Sequence, residues 1–521
     1  MRHKPIFKLA AAIAVIACIT ALNYGGCQLT PDKGVTHNET WPPMSAYFLS
    51  PLNEATSVAT SSWLHWTDTA TSYKVYFGAA DPPPYAADVT EPQYDPGPLS
   101  HAATYYWRIE SLNSFGSSVS PVWHFTTTNP LLGGAPVSFS TGITDTAFGN
   151  NGRAIAVLGP GNDYARAVVL QPDGKIILAG SAGDDFGLAR LNSDGTIDDA
   201  FGISGTVTSD FGGNQDCAQA VAIQPDGKII LAGRARIGGN DRIALARYTV
   251  TGTLDAAFGA GGLVTTALGT QSGAYACIVQ PDGKILAGGW ADYGPSACFA
   301  LARYRDDGTP DIYFGCNGAI TATIGTAKAY AMALQPDGRI ILAGDGLNMV
   351  RFDHFGTTDT FFSAGTQSGA LPPGDTGTAY ACALQPDGKI ILAGIAENQL
   401  LLARYRENGV PDTGFGNNGT VLIGGWAGQL NGMALQSDHK IIVAGTSCNM
   451  QAGTFGSFVM RFQPDGILDT GFGNNGNVSP SGLAHNEGAD ACAVQPDGKI
   501  VAVGWVNTGA GDHFTAVRWG R

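Results

Sequence analysis

Seven arginines occupy one position of a recurring pattern: Arg190, Arg247, Arg303, Arg351, Arg404, Arg461 and Arg518. Seven aspartates, Asp145, Asp198, Asp255, Asp311, Asp359, Asp412 and Asp469, each open an Asp-x-x-Phe motif. Arginine and carboxylate at fixed offsets could clamp a phosphate, move a proton, or close a bidentate ion pair that ties strands together. A ligand or a reaction needs such a pair once, whereas a repeat architecture needs its tie in every copy. The recurrence therefore assigns these residues to the fold, with the phenylalanines packed between units.

Asp465-Gly466-Ile467-Leu468-Asp469 and its equivalents carry acids near a glycine, as calcium loops do. Calcium takes roughly six to eight oxygens, and the closing glutamate of an EF-hand loop is absent. Asp-Gly is also the ordinary turn dipeptide, so these read as turns. Neither a Gly-x-Ser-x-Gly elbow nor His-Glu-x-x-His spacing occurs. No metal and no cofactor is expected. Specificity would be written where the copies differ. From the glycine ending the second strand of each copy to its arginine, the separations are 10, 14, 14, 7, 10, 16 and 14 residues. Trp290, Asp292, Tyr293, Trp426, His485, Glu487, Trp505 and His513 break the symmetry in that region; all but His485 are carried as candidate ligand contacts. Trp290 and Trp505 hold the same position and either stack on a sugar ring or pack on their own unit.

The elements follow from the turns. Gln-Pro-Asp-Gly-Lys or a near variant begins at Gln171, Gln224, Gln280, Gln335, Gln385, Gln436 and Gln495, about 54 residues apart. Each turn joins two apolar strands, such as Ala165–Leu170 and Lys175–Gly180; a third carries the arginine, and a fourth is expected to end in Asp-x-x-Phe-Gly. Four strands per copy with tight Asp-Gly turns describe a propeller blade. The first Asp-x-x-Phe precedes the first Gln turn, and the sequence stops just past the seventh arginine. Residues 139–149 are therefore expected to supply the outer strand of the last blade, closing a seven-bladed β-propeller over 138–521 and leaving no open edge.

The repeat resembles the delta-60 repeat family of bacterial exported proteins and, more loosely, NHL-repeat propellers; the resemblance implies the fold and no assigned chemistry. Residues 44–128 alternate short apolar strands with turns, as in a β-sandwich. Trp66, Leu99 and Tyr105, with the final Trp-x-Phe-x-Thr from Trp123, make this stretch resemble a fibronectin type III domain, a family that serves as spacer or binding surface. Residues 27–43 and 129–137 read as linkers.

Residues 1–26 pair a basic segment with the 14-residue apolar run Leu9–Leu22, too short for a spanning helix and right for a signal peptide. Gly25-Gly26-Cys27 resembles a bacterial lipobox, which would acylate Cys27; Cys18 is a second candidate, and plain secretion is the alternative. Seven further cysteines make an odd set, and Cys277, Cys382 and Cys492 fill one apolar strand position, so they read as buried thiols. With 43 acids against 29 bases the net charge is −14, which repels phosphate backbones and excludes nucleic-acid binding as a main role. The whole is all-β: an exported cell-surface or secreted monomer that binds an extracellular protein or glycan, meeting the membrane only through a lipid anchor. The alternative is a secreted polysaccharide lyase or glycosidase, which would require paired acids on the variable face.

Overall fold

The computed structural model describes residues 55–58, 64–66, 70–100, 103–114, 116–127, 142–293, 296–324, 327–362, 377–424, 428–449, 454–479 and 486–521. The signal-peptide and lipobox readings with Cys18 and Cys27, both linkers, Trp426 and His485 lie outside these residues. The described residues are all strands, bridges and turns, and no helix is long and apolar enough to cross a membrane.

The first module has two sheets. One holds six strands built around Thr104–Asn113 and Ser72–Gly78; the other pairs Leu64–His65 with Gln93–Tyr94. Within Thr104–Asn113 the buried side chains alternate at Trp107, Ile109 and Ser111, the period-two signature of a strand with one face in the core. Leu64, Trp66, Tyr73, Val75, Trp107 and Phe125 are the centre of that core.

From Arg153 onward, seven antiparallel sheets follow in sequence among the described residues. In the first, Asp163–Leu170, Ile176–Ala182, Asp185–Leu191 and Thr206–Ser209 lie side by side in that order. The fourth sheet has three described strands, Ala329–Leu334, Ile340–Gly344 and Met349–Phe352; the others have four. Second strands such as Ile176–Ala182 are buried at every residue because neighbouring sheets cover both faces. The first strands of successive sheets pack against one another, and Asp163–Leu170 of the first packs against Glu487–Val494 of the last.

The last sheet is completed from the other end of the repeat region, by a different segment from the one expected. Arg153–Ala156 pairs with Asp512–Trp519, Phe514 opposite Ala156 and Val517 opposite Arg153. Of the segment expected to be that strand, residues 143–145 do bridge to the same third strand, Thr144 opposite Trp519 and Asp145 N–H donating to the Arg518 carbonyl at 2.9 Å. The Asp-x-x-Phe itself is instead the turn before Arg153–Ala156: Phe148 N–H donates to the Asp145 carbonyl at 2.9 Å, and Phe148 is fully buried. The same order holds elsewhere, as Asp198–Gly202 precedes Thr206–Ser209. An aspartate that accepts from the backbone two residues on and a glycine at positive φ (Gly149, 53°) turn the chain where a hydrophobic pattern alone reads as strand.

The arginines are 2–7% exposed and each makes an ion pair with its aspartate, from Arg190 Nε to Asp198 at 2.6 Å to Arg247 Nε to Asp255 at 3.0 Å. Each guanidinium also lies 4.2–4.6 Å from the centre of the Asp-x-x-Phe ring. In six of the seven, Nη1 reaches on to a carbonyl in the following sheet: Val250 from Arg190, Asp306 from Arg247, His354 from Arg303, Glu407 from Arg351, Pro464 from Arg404. The sixth runs from Arg518 of the last sheet to Ser193 of the first, at 2.5 Å. The basic residue ending the Gln turn adds a second cation: Lys499 Nζ lies 3.0 Å from Asp145, and Lys175 Nζ 3.0 Å from Asp198. Burial alone would raise the Asp145 and Asp198 pKa values, but Lys499 with Arg518, and Lys175 with Arg190, outweigh it and hold both below the ordinary carboxylate value.

The seven described cysteines are free thiols. Cys277, Cys382 and Cys492 pack into the inter-sheet cores, and burial pushes each thiol up to about 12.

Candidate functional site

Every first strand carries a bulge, and in every sheet it falls at the same place. The register breaks between Ala165 and Ala167, Ala218 and Ala220, Ala274 and Ala276, Ala329 and Ala331, Ala379 and Ala381, Leu430 and Gly432, and Ala489 and Ala491. The extra residues are Arg166, Gln219, Tyr275, Tyr330, Tyr380, Asn431 and Asp490, all half-buried and each preceded by a buried residue. A bulge re-aims one side chain while the rest of the strand keeps its pairing. A glycine on the second strand makes room for it. A Cβ on Gly180, Gly233, Gly289, Gly344, Gly394, Gly445 or Gly504 would lie 1.8–2.1 Å from a first-strand carbonyl oxygen.

Because first strands pack on first strands, these side chains meet across sheets. Tyr275 and Tyr330 have ring centres 4.9 Å apart, and Tyr330 and Tyr380 5.2 Å, forming an aromatic arc over the third to fifth sheets. Opposite in chemistry, Arg166 Nη1 donates to Asp490 Oδ2 at 2.9 Å across the first and last sheets, and Asn431 Nδ2 donates to Asp490 Oδ1 at 3.0 Å. Burial holds the Asp490 pKa above the ordinary value even with Arg166 and Asn431 pulling it down. Burial, then Asp345, raise the Tyr330 pKa, so its hydroxyl is a neutral donor and acceptor at physiological pH. Gln219 Nε2 completes the set, donating to Cys217 Sγ at 3.1 Å. The repeat thus holds the position constant and varies its chemistry, the reverse of the arginine ties.

The candidates read from the variable region are placed differently. Trp290 is 6% exposed, with Lys328 Nζ 4.1 Å over its ring. Trp505 is half-buried between Tyr164 and Phe455, ring centres 6.2 and 6.3 Å away. Glu487 is buried, its carboxylate taking Arg153 at 2.5 Å and Ser457 at 2.6 Å. His513 is buried with Nδ1 3.5 Å from Asp163 Oδ2. Asp292 is half-buried and binds Gln271 and Thr270 through its backbone, while Tyr293 is exposed. The structure brings none of these onto the bulge ring. Length variation there is spent largely on strands: Ile229–Ile237 and Asn240–Tyr248 have nine residues each, against five and four in Ile340–Gly344 and Met349–Phe352.

One acidic cluster lies apart from the ring. The carboxylates of Asp185, Asp210 and Asp216 fall within 4.8 Å of one another. Asp216 accepts the backbone N–H groups of Phe211 and Arg236, each at 3.0 Å, so its oxygens are already committed. Burial first, and then its acidic neighbours, raise the Asp185 pKa.

Six stretches, residues 171–201, 224–258, 280–311, 385–415, 436–472 and 495–518, match the family model described as "Domain of unknown function (DUF5122) beta-propeller". The matches recur along the chain and support a β-propeller repeat. The fourth sheet, whose hairpin is the shortest, falls between the matched stretches. No curated protein matches the chain in sequence. Among solved structures, a catalytically inactive virginiamycin B lyase from Staphylococcus aureus with quinupristin is 11% identical, with a TM-score of 0.41, over 70% of this chain and 98% of that one. Sqt1 from Chaetomium thermophilum is 13% identical, TM-score 0.38, over 69% and 97%. The polysaccharide lyase Uly1 is 13% identical, TM-score 0.38, over 72% and 92%. At these values none speaks to the propeller's chemistry.

Proposed function

We propose that this chain is an exported binding protein. A closed seven-bladed propeller displays a ligand-contacting ring, and a fibronectin type III-like sandwich serves as spacer. The ligand is an extracellular protein or glycan. The leader read at 1–26 and the acylation candidate Cys27 support a location at the cell surface, in the periplasm or in the medium. The sandwich reading draws support from Ser100 N–H donating to the Tyr105 hydroxyl at 2.9 Å, just past buried Leu99, as a tyrosine corner would. Closure draws support from the Arg153–Ala156 pairing and the Arg518–Ser193 bond.

One observation carries the binding reading: a geometrically constant bulge bearing seven residues of five residue types. Residues that serve the fold repeat with it, as the arginines do, whereas half-buried residues that vary at a bulged position serve something asymmetric. The test is binding of the full chain to arrays of extracellular proteins and glycans, run beside the variants Tyr330→Ala and Arg166→Ala. A ligand retained by the parent and lost by both variants supports the reading. Ligands indifferent to both variants contradict it, and turnover of a bound polysaccharide that stops with Asp490→Asn replaces it with the lyase or glycosidase alternative.

A further inference from the structure

Resting on that reading of the ring, we infer that its ligand is an uncharged, hydroxyl-rich saccharide chain. A pyranose ring lies on the Tyr275–Tyr330–Tyr380 arc, and its hydroxyls bond the Arg166–Asp490–Asn431 arc. The three tyrosines are contiguous, their planes tilted by 54° and 52°, so they form a curved aromatic wall rather than a flat stack. An aromatic face carries negative quadrupole charge and attracts weakly polarised C–H groups, which the axial face of a pyranose presents in a row. The hydroxyls on the sugar's edge need fixed donors and acceptors. The other arc supplies both: Arg166, whose side chain is 37% exposed, donates, Asp490 accepts, and the Asn431 amide, its N–H groups taken by Asp490 and the Ala489 carbonyl, keeps its oxygen as an acceptor.

Charge selects against acidic sugars. Arg166 and Asp490 cancel each other in the ring. Lys328, on the residue two before Tyr330, is spent over the Trp290 ring. Asp345 stands by the aromatic arc, taking the Lys328 N–H at 2.9 Å and the Thr378 hydroxyl at 3.4 Å, and the whole chain carries −14. A uronate polymer would enter against that field. A folded protein partner needs an exposed contact surface, and the ring residues are half-buried on the innermost strands.

The probes are hexasaccharides titrated calorimetrically into the full chain: neutral cellohexaose, xylohexaose and chitohexaose against acidic oligogalacturonate and oligoalginate. At least one neutral hexamer is expected to bind and to outcompete both acidic ones. Tyr330→Ala should weaken it about tenfold, the order of one lost aromatic contact, while Tyr330→Phe keeps the ring face and stays within about threefold. Should Tyr330→Ala fail to fold, the parent chain still decides: the neutral hexamer must perturb the near-ultraviolet tyrosine dichroism, and an unchanged spectrum overturns the inference. Acidic hexamers binding as well as neutral ones also overturn it. A protein ligand lost with Tyr330→Ala, alongside no saccharide binding, sinks the saccharide inference and leaves the ring reading standing. If no ligand of either kind depends on the ring, that reading falls with it.

Discussion

At the scale of single residues, two sets with opposite logic share each repeat. The arginine set is redundant by design, and its redundancy is uneven. Asp412 is held by Arg404 at 2.8 Å and by Lys389 at 3.6 Å, whereas among the described residues Arg303, at 2.9 Å, is the one base within ion-pair distance of Asp311. Arg303→Ala therefore leaves a carboxylate that is 2% exposed without a cation, and should cost about 3–5 kcal/mol in denaturant unfolding. Arg404→Ala should cost clearly less, because Lys389 remains; equal losses would show that the second cation contributes nothing. The same ties set the response to acid. Against the upward pull of burial, the cations around Asp145, Asp198, Asp359, Asp412 and Asp469, and at Asp255 first the Ala257 N–H and then Arg247, hold these carboxyls below the ordinary carboxylate value. The unfolded chain then takes up protons before the folded one does, so this stabilisation is complete above the unfolded value and is lost as pH falls through the folded ones. Melting temperature should be nearly flat from about pH 7 to 5 and drop steeply below about pH 4. A melting temperature that holds down to about pH 3 would contradict the account.

Among the elements, what repeats was legible in the sequence and what the repeat is bent to do was not. The two strands of each Gln turn keep one pattern, and from Arg190 to Arg461 each third-strand arginine stands eight residues before its aspartate, because each sheet makes the same contacts with the next, so counting copies recovers them. The bulge defeats a period-two reading: one extra residue shifts the phase, and Tyr330 or Asp490 then looks like any strand residue between two alanines. The signal was nonetheless present. The bulged residue always falls five before the turn glutamine, and the glycine of the second strand, such as Gly394, faces it. Gly394 matters for space rather than flexibility, since a Cβ would meet the Thr378 carbonyl oxygen at 1.8 Å. Gly394→Ala should flatten or displace the bulge, costing on the order of 1–3 kcal/mol and disturbing Tyr380. A variant with parental stability and unchanged tyrosine dichroism would show that the bulge does not need the glycine. The closing strand was misplaced for a related reason: the Phe of Asp-x-x-Phe looks like strand because it is buried, yet the aspartate and glycine around it make a turn.

For the whole molecule, the account rests on the first and last sheets being neighbours. Arg153–Ala156, the Arg518–Asp145 pair at 2.9 Å and the Arg153–Glu487 pair all cross between residues more than 300 positions apart in sequence. Deleting residues 142–157 should remove the edge strand, orphan Arg518 and leave Asp512–Trp519 open to pairing with other molecules, seen as early melting and aggregation. Deleting residues 44–128 should leave the melting of the propeller nearly unchanged, because the core of the first module, Trp66 to Phe125, is drawn from its own strands. A harmless first deletion would make the array open rather than closed. The central claim is that the repeated residues hold the fold while the varied residues of the bulge ring face a ligand. The triple variant Tyr275→Ala, Tyr330→Ala, Tyr380→Ala, measured for melting temperature and for neutral-hexasaccharide binding in the same preparation, tests it most directly. The account predicts melting close to the parent with binding lost; early melting, or parental melting with binding retained, would contradict it.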